Sequence, residues 1–252
     1  MNIQTVFKLN QLNRDFYQTI AADFSDSRQY YWQGWDQLIP YFNQLKHKNQ
    51  QLTVLDLGCG NGRFGKFLIE KVSTNVKYVG IDNSKKLLNI AQEKLSNFTK
   101  NVQFQELDLI DSIESNKLIA NLNDSSPDVI TLFGVLHHIP SSKLRIQLIK
   151  QLTSLLNPEG LLIFTVWKFT SDEKLTKKIA NPAVVDLEKK DLEKNDYILD
   201  WKRGIFAYRY CHLTDETEVN NIIEKANLKV ISQIAADGKS QNLNHYYVCK
   251  KK

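Results

Sequence analysis

Cysteine, methionine and proline are scarce in this chain of 252 residues, with three, one and five respectively. Cys59, Cys211 and Cys249 are odd in number and widely spaced, without a C-x-x-C pair, so neither a disulfide framework nor a zinc or other metal site is indicated. No apolar run reaches the ~18 residues of a membrane span and no signal-like segment opens the chain, which predicts a cytoplasmic protein without a membrane partner. Neither sign of charge dominates. A formal net charge of +5 is compatible with a nucleic-acid partner but does not demand one. With 42% hydrophobic residues, the chain can bury the core of one α/β domain carrying an insertion.

Only ten glycines are present, and three of them stand at every second position in Asp56-Leu57-Gly58-Cys59-Gly60-Asn61-Gly62-Arg63. An apolar run ends in Asp56, breaks into these glycines, and resumes with the helical spacing Phe64, Phe67, Leu68. This reads as strand, tight turn and helix. Glycines let a ligand lie against bare backbone, and the helix start turns its free N–H groups and positive dipole end toward it. Cys59 fills a position that needs a small side chain. Gly60-Asn61-Gly62-Arg63-Phe64-Gly65 also satisfies G-x-G-x-x-G, with Asp82 about 20 residues on. A dinucleotide would, however, set its pyrophosphate beside Asp56, which would repel it. A nucleoside carrying an ammonium and a sulfonium suits both the glycines and the carboxylate, so S-adenosylmethionine is the expected cofactor and NAD the alternative.

From Val54 onward the pattern alternates. Further strands are expected over residues 77–81, 102–107, 128–133 and 161–167. Ser84 and Ser141 or Ser142 are placed to cap intervening helices, and a looser helix is expected around 113–122. Strands separated by helices imply a parallel sheet with right-handed crossovers, whose ligands bind beyond the strands' C-terminal ends. Asp56, Asp82, Asp108 and Gly134-Val135-Leu136-His137-His138 all fall there. In that arrangement Asp82 would accept from the ribose hydroxyls, Asp108 would meet the adenine amino group, and Asp56 would face the methionine end. Gly58, Cys59, Gly60, Asn61, Gly62, Asn83, Leu109 and Gly134 complete the expected cofactor contacts. Residues 1–50 should form a helical cap of two helices, with Arg28 and Trp32 in an irregular stretch suited to a lid. Residues 51–252 form the main domain. Residues 168–208 break the alternation and are rich in Lys, Asp and Glu; this substrate-side insertion reaches to about residue 212. A helix over 216–226 and a closing hairpin, 228–235 with 246–249, follow.

The strand–D-x-G-x-G-x-G–helix opening, Asp82 and the closing hairpin resemble class I S-adenosylmethionine-dependent methyltransferases. That resemblance implies a Rossmann-like seven-stranded, mostly parallel α/β sheet with an antiparallel last strand. Leu57-Gly58-Cys59-Gly60-Asn61-Gly62-Arg63-Phe64, Gly134-Val135-Leu136-His137-His138-Ile139-Pro140, Thr165-Val166-Trp167 and Arg209-Tyr210-Cys211-His212-Leu213 are similar to the tRNA wobble-uridine carboxymethyl methyltransferases. So is Ile20-Ala21-Ala22-Asp23-Phe24-Ser25-Asp26-Ser27-Arg28. That narrower family implies methylation of the carboxylate of 5-carboxymethyluridine in the tRNA anticodon loop, and in some members a small activator subunit. The sequence departs from it at Cys211, Thr214, Leu199-Asp200-Trp201 and Pro158-Glu159-Gly160.

A carboxylate acceptor is already ionised at neutral pH and needs no general base. Arg28, Arg209 and His212 are the candidates for an acceptor clamp, Tyr210 and Trp201 for stacking an extruded base, and His138 for a contact beside the methyl group. Two other readings stay open: a small-metabolite methyltransferase in which residues 168–208 close the site, and a non-catalytic subunit that binds S-adenosylmethionine or RNA.

Overall fold

The computed structural model describes residues 1–48, 51–73, 75–96, 98, 101–122 and 126–252. Residues 49–50, at the expected boundary between the leading helices and the first strand, lie outside the described residues. Three helices lead the chain: α1 (Ile3–Asp26), α2 (Gln33–Asp36) and α3 (Ile39–Lys48). Then strands and helices alternate as β1 (Leu52–Leu57), α4 (Arg63–Lys71), β2 (Val76–Asp82), α5 (Lys85–Leu95), β3 (Val102–Glu106), α6 (Leu109–Glu114), α7 (Leu118–Asn121), β4 (Val129–Leu132), α8 (Ser142–Leu155) and β5 (Leu161–Trp167). An inserted α9 (Glu173–Thr176), β6 (Ile179–Ala180), β7 (Asp196–Trp201) and β8 (Ala207–His212) precede α10 (Glu216–Lys225), β9 (Leu228–Ala236) and β10 (Asn244–Lys251).

The main sheet runs β3-β2-β1-β4-β5-β10-β9. β1, β2, β3, β4 and β5 pair in parallel, and β10 lies antiparallel to both β5 and β9. This is the class I methyltransferase sheet the sequence led us to expect. Its central strands are unbroken apolar runs because helices cover both faces: every residue of β4, and of β1 except Thr53, is buried. Ser84 and Ser141 cap α5 and α8 as expected. The looser helix around 113–122 is instead two short helices, parted where Asn116 takes a left-handed conformation at φ 53°.

The Lys-, Asp- and Glu-rich insertion folds into regular structure. β6, β7 and β8 form a second, antiparallel sheet. It clamps α1 against the domain: Leu9 packs with Leu187, Ile198 and Tyr210, and Phe16 and Ile20 pack with Trp201. The other long side of α1 contacts α5. The helix therefore lies across the C-terminal ends of the parallel strands, between the two sheets.

Candidate active site

The glycine turn leaves β1 with Gly58, Gly60 and Gly62 at φ values of +70°, +55° and +71°, where side chains are disfavoured. At Gly58 a Cβ would also stand 2.3 Å from Val135. Gly58 and Cys59 donate their N–H groups to the Ile81 carbonyl, tying the turn to the end of β2. Gly60 donates to Asp82 Oδ2 at 2.8 Å, and Ser84 to Oδ1 at 2.8 Å. Asp82 thus shapes the turn while still lining the cavity. Gly62 sits behind the turn, where a Cβ would meet Ala91 at 2.9 Å; it packs α4 on α5 rather than lining the site.

A cavity of about 890 Å³ opens over this turn. It takes in Asp56, Gly58, Cys59, Gly60, Asn61, Asp82, Asn83, Asp108, Leu109 and Gly134 from the cofactor expectation, and Arg28, His138 and Arg209 from the acceptor expectation. Its volume is at the upper end of the ~300–1,000 Å³ usual for ligand sites. The donor set suits S-adenosylmethionine: bare backbone at the turn, a ribose-sized carboxylate at Asp82, and the acidic Asp56 deeper in.

Asp56 is 2% exposed and receives the hydroxyls of Tyr78 at 2.5 Å and Thr131 at 2.7 Å. Burial pushes its carboxyl up to about 7, aided by Asp82 and opposed by the two hydroxyls. Asp108 departs from its expected role. Oδ1 caps α6 through Ile110 and Asp111 N–H groups at 2.9 and 3.0 Å, while Oδ2 accepts from Asn10 at 2.9 Å and Arg14 at 3.2 Å. Four donors occupy its roughly four lone-pair sites, so its side chain has none left for an adenine amino group.

The other end of the cavity is cationic, with Arg28, Lys178, Arg203 and Arg209 among its walls. Arg209 is 7% exposed and its guanidinium lies 5.0 Å from the Trp167 ring and 5.3 Å from the Phe16 ring. Its Nε has no hydrogen-bond partner, and among the described residues it forms no ion pair. Burial, then the charges of Arg209 and Arg203, push the Arg28 guanidinium below its usual range. His138 is anchored at both nitrogens. Nδ1 lies 2.9 Å from the Tyr210 carbonyl and so carries its proton, leaving Nε2 to accept from the Tyr17 hydroxyl at 2.8 Å. Burial, with the Arg209 charge beside it, brings its pKa down to about 3.

β8 points successive side chains to opposite faces, and this separates the expected acceptor residues. Arg209 reaches the cavity, whereas Tyr210 and His212 face the other way. His212 lies outside the cavity, 2.7 Å from Asp196 and 2.6 Å from Glu218. Tyr210 is fully buried with its hydroxyl on Asp196, so it offers no stacking face, while Trp201 does line the cavity.

The sequence reading missed α1's contribution. Asn10, Asn13 and Tyr17 follow one another at helical spacing on its cavity side, the two asparagines buried. Asn13 donates to the His138 backbone carbonyl at 3.5 Å and accepts from the Tyr210 N–H at 2.8 Å. At the helix end, Ser25 accepts from Asn61 at 3.0 Å, joining α1 to the glycine turn. Two asparagines inside an otherwise apolar stripe were the available signal. Also missed were Arg63, which donates to the Tyr30 carbonyl and faces Trp32 and Trp35, and Asp237, which receives Gly34 N–H, Asn244 and Tyr246. His137, His138 and Cys211 bring ring nitrogens and sulfur within 4.8 Å of one another. His138 is already committed at both nitrogens, and burial pushes the Cys211 thiol up to about 11, so the group does not present a ready donor set for a metal.

Among solved structures, an S-adenosylmethionine-dependent methyltransferase from Clostridium acetobutylicum superposes with a TM-score of 0.60 at 15% identity, covering 94% of this chain and 96% of that one. S-adenosylmethionine-bound CalS10 from Micromonospora echinaspora, an amino pentose methyltransferase, gives 0.57 at 12% identity, covering 92% and 97%. The mouse tRNA (carboxymethyluridine(34)-5-O)-methyltransferase ALKBH8 is 26% identical over 158 residues, 63% of this chain. A probable tRNA methyltransferase 9B from Bos taurus is 24% identical over 195 residues, 77% of this chain. This chain spans only 20% and 34% of the length of those two relatives. A carboxy-S-adenosyl-L-methionine synthase from Helicobacter pylori strain G27 is 36% identical over 103 residues, 38% of this chain and 42% of its own. Over residues 48–235, most of the chain and all of the site's parallel strands, the sequence matches the methyltransferase domain model, and the chain belongs to that family.

Proposed function

We propose that this S-adenosylmethionine-dependent methyltransferase acts on the carboxylate of 5-carboxymethyluridine at the wobble position of tRNA. Arg209 carries the proposal. A buried guanidinium without a counter-charge is costly, and it stands in the same cavity as the glycine turn. An acceptor carboxylate would complete it through two parallel hydrogen bonds, with Arg28 reinforcing the positive potential. When bound, S-adenosylmethionine supplies a methyl group that passes to the acceptor oxygen as the sulfonium becomes a thioether. The chain's own task is positioning: the nucleophile must lie ~3–3.5 Å from the methyl carbon and in line with the breaking bond. His138 holds Tyr17 and, through Tyr210, the strand that presents Arg209. The likeness to the mouse tRNA carboxymethyluridine methyltransferase and the cattle probable tRNA methyltransferase supports the tRNA substrate.

Mass spectrometry of tRNA nucleosides from cells lacking the gene tests this directly: the methyl ester should vanish and the free acid accumulate. In vitro, Arg209→Lys keeps the charge but loses the fork, so S-adenosylmethionine affinity should hold while single-turnover methylation falls by at least ~10-fold. Unchanged nucleosides would move the acceptor to a small metabolite, for which the aromatic walls Phe24, Phe133, Trp167 and Trp201 also provide a surface; a wild-type rate in the variant would remove Arg209 from the acceptor site. Turnover by the purified chain alone would remove the need for an activator subunit.

A further inference from the structure

The inserted sheet carries an exposed tip beside the cavity. Residues 202–206, joining β7 to β8, are all exposed, with Ile205 at 50% and Phe206 at 53%. Nothing in the described fold covers these two apolar side chains. Arg203 and the 88%-exposed Tyr30 both line the cavity and so mark where it opens. The tip is firmly seated. Gly204, at φ +73°, lies so close to Asp23 at the end of α1 that a Cβ would stand 2.3 Å from its carboxylate oxygen. Trp201 Nε1 donates to the Arg203 carbonyl at 2.7 Å. Phe206 rests edge-on against Tyr208, ring centroids 4.9 Å apart, with Lys202 Nζ 6.0 Å from its centroid. Arg203 forms no ion pair among the described residues, and Arg28 and Lys178 continue its positive charge into the cavity.

Resting on the tRNA reading above, the geometry points to the β7–β8 tip, with Ile205, Phe206 and Arg203, as the contact surface for unpaired nucleotides flanking the acceptor. Single-stranded RNA offers unstacked base faces and closely spaced phosphates, and it is held by exposed aromatic or apolar faces interleaved with cations. A metabolite swallowed whole by the cavity would need no stacking face outside it. Charge and apolar surface at this rim therefore match a polymer that continues past the site.

The test is fluorescence anisotropy with a labelled anticodon stem-loop RNA, on wild type, Ile205→Ser/Phe206→Ala, and Phe206→Trp. Both side chains are exposed, so melting temperature and S-adenosylmethionine affinity should hold. RNA affinity should fall roughly ten-fold in the double variant, the loss of about one stacked base, and stay near wild type in Phe206→Trp. Wild-type RNA affinity in the double variant overturns the assignment, and is also the result if the tip docks a partner protein instead. If the wild-type chain binds no RNA with salt-dependent affinity, the tRNA reading fails with it. If wild type and double variant bind alike, only the tip's role is lost.

Discussion

Asp56 is a buried carboxyl whose charge depends on what shares its cavity. With its carboxyl raised to about 7, it is substantially protonated at neutral pH in the free protein. A cationic ligand in the same cavity favours the charged form and lowers that value again. Cofactor binding should then release a proton near and below pH ~7 and strengthen as pH rises through that value, levelling off above it. Calorimetry in buffers of different ionisation enthalpy should show proton release near pH ~6 and none near pH ~9. Asp56→Asn should abolish the difference. Persistent release in that variant would assign the proton elsewhere. His138 presents the opposite case, because a pKa of about 3 keeps it neutral through the working range. The single-turnover rate at saturating cofactor should be flat from pH ~6 to ~9. His138→Asn should lower the rate without adding a slope, whereas a wild-type profile rising near pH ~7 would require a base and a different acceptor.

At the scale of elements, the parallel core was legible because each part obeys a local rule. Apolar runs buried on both faces mark strands, serines mark helix starts, and alternating glycines mark the turn at β1. The last strand of that logic, the seven-residue β5, matches its expected bounds residue for residue. The insertion was not legible. β6 is only two residues long, and the apolar residues of β7 and β8 are divided between α1 on one side and Phe169 on the other, so no simple alternation emerges. His212 and Arg209 illustrate the cost at the site. Their adjacency within one motif suggested a shared role, but three residues along a strand is an odd offset, and odd offsets face apart. Asp108 was legible by position and misleading by chemistry: a carboxylate at a strand end opening a helix is also an N-cap, and here the cap takes Oδ1 while α1 takes Oδ2. α1 itself could be read as a helix, but its path across the strand ends depends on a sheet some 180 residues later in the chain.

The whole molecule is two sheets held together by a buried charge network, and that joint has a pH dependence of its own. Arg145 on α8, 1% exposed, binds Glu218 of α10 at 2.7 Å, the Ile139 carbonyl at 2.8 Å and Glu193 at 3.3 Å. Glu218 passes the chain to His212 of β8 at 2.6 Å, and His212 to Asp196 of β7 at 2.7 Å. Burial alone would lower the His212 pKa, but its two carboxylate partners outweigh that and raise it. An imidazolium between two carboxylates is the arrangement that keeps the joint near neutral. Because the folded-state pKa exceeds the ordinary ~6.5, the stability His212 contributes is fully present below that value and is lost as pH rises through the folded pKa. Glu218, held below its usual range against the burial that would raise it, works in the other direction and loses its contribution only as pH falls through its lowered pKa. Removing His212 leaves two buried carboxylates short of a partner, so His212→Gln should cost about 3 kcal/mol at weakly acidic pH. Urea unfolding near pH ~6 and pH ~9 should show that penalty shrinking on the alkaline side. The quantity to compare is the difference between wild type and variant, because Asp56 also releases its proton over part of this range. An equal penalty at both values would mean a neutral His212 and a joint maintained by Arg145 alone. Since β8 presents Arg209 to the cavity on the face opposite His212, loosening the joint should also cost the variant activity even where no catalytic group titrates.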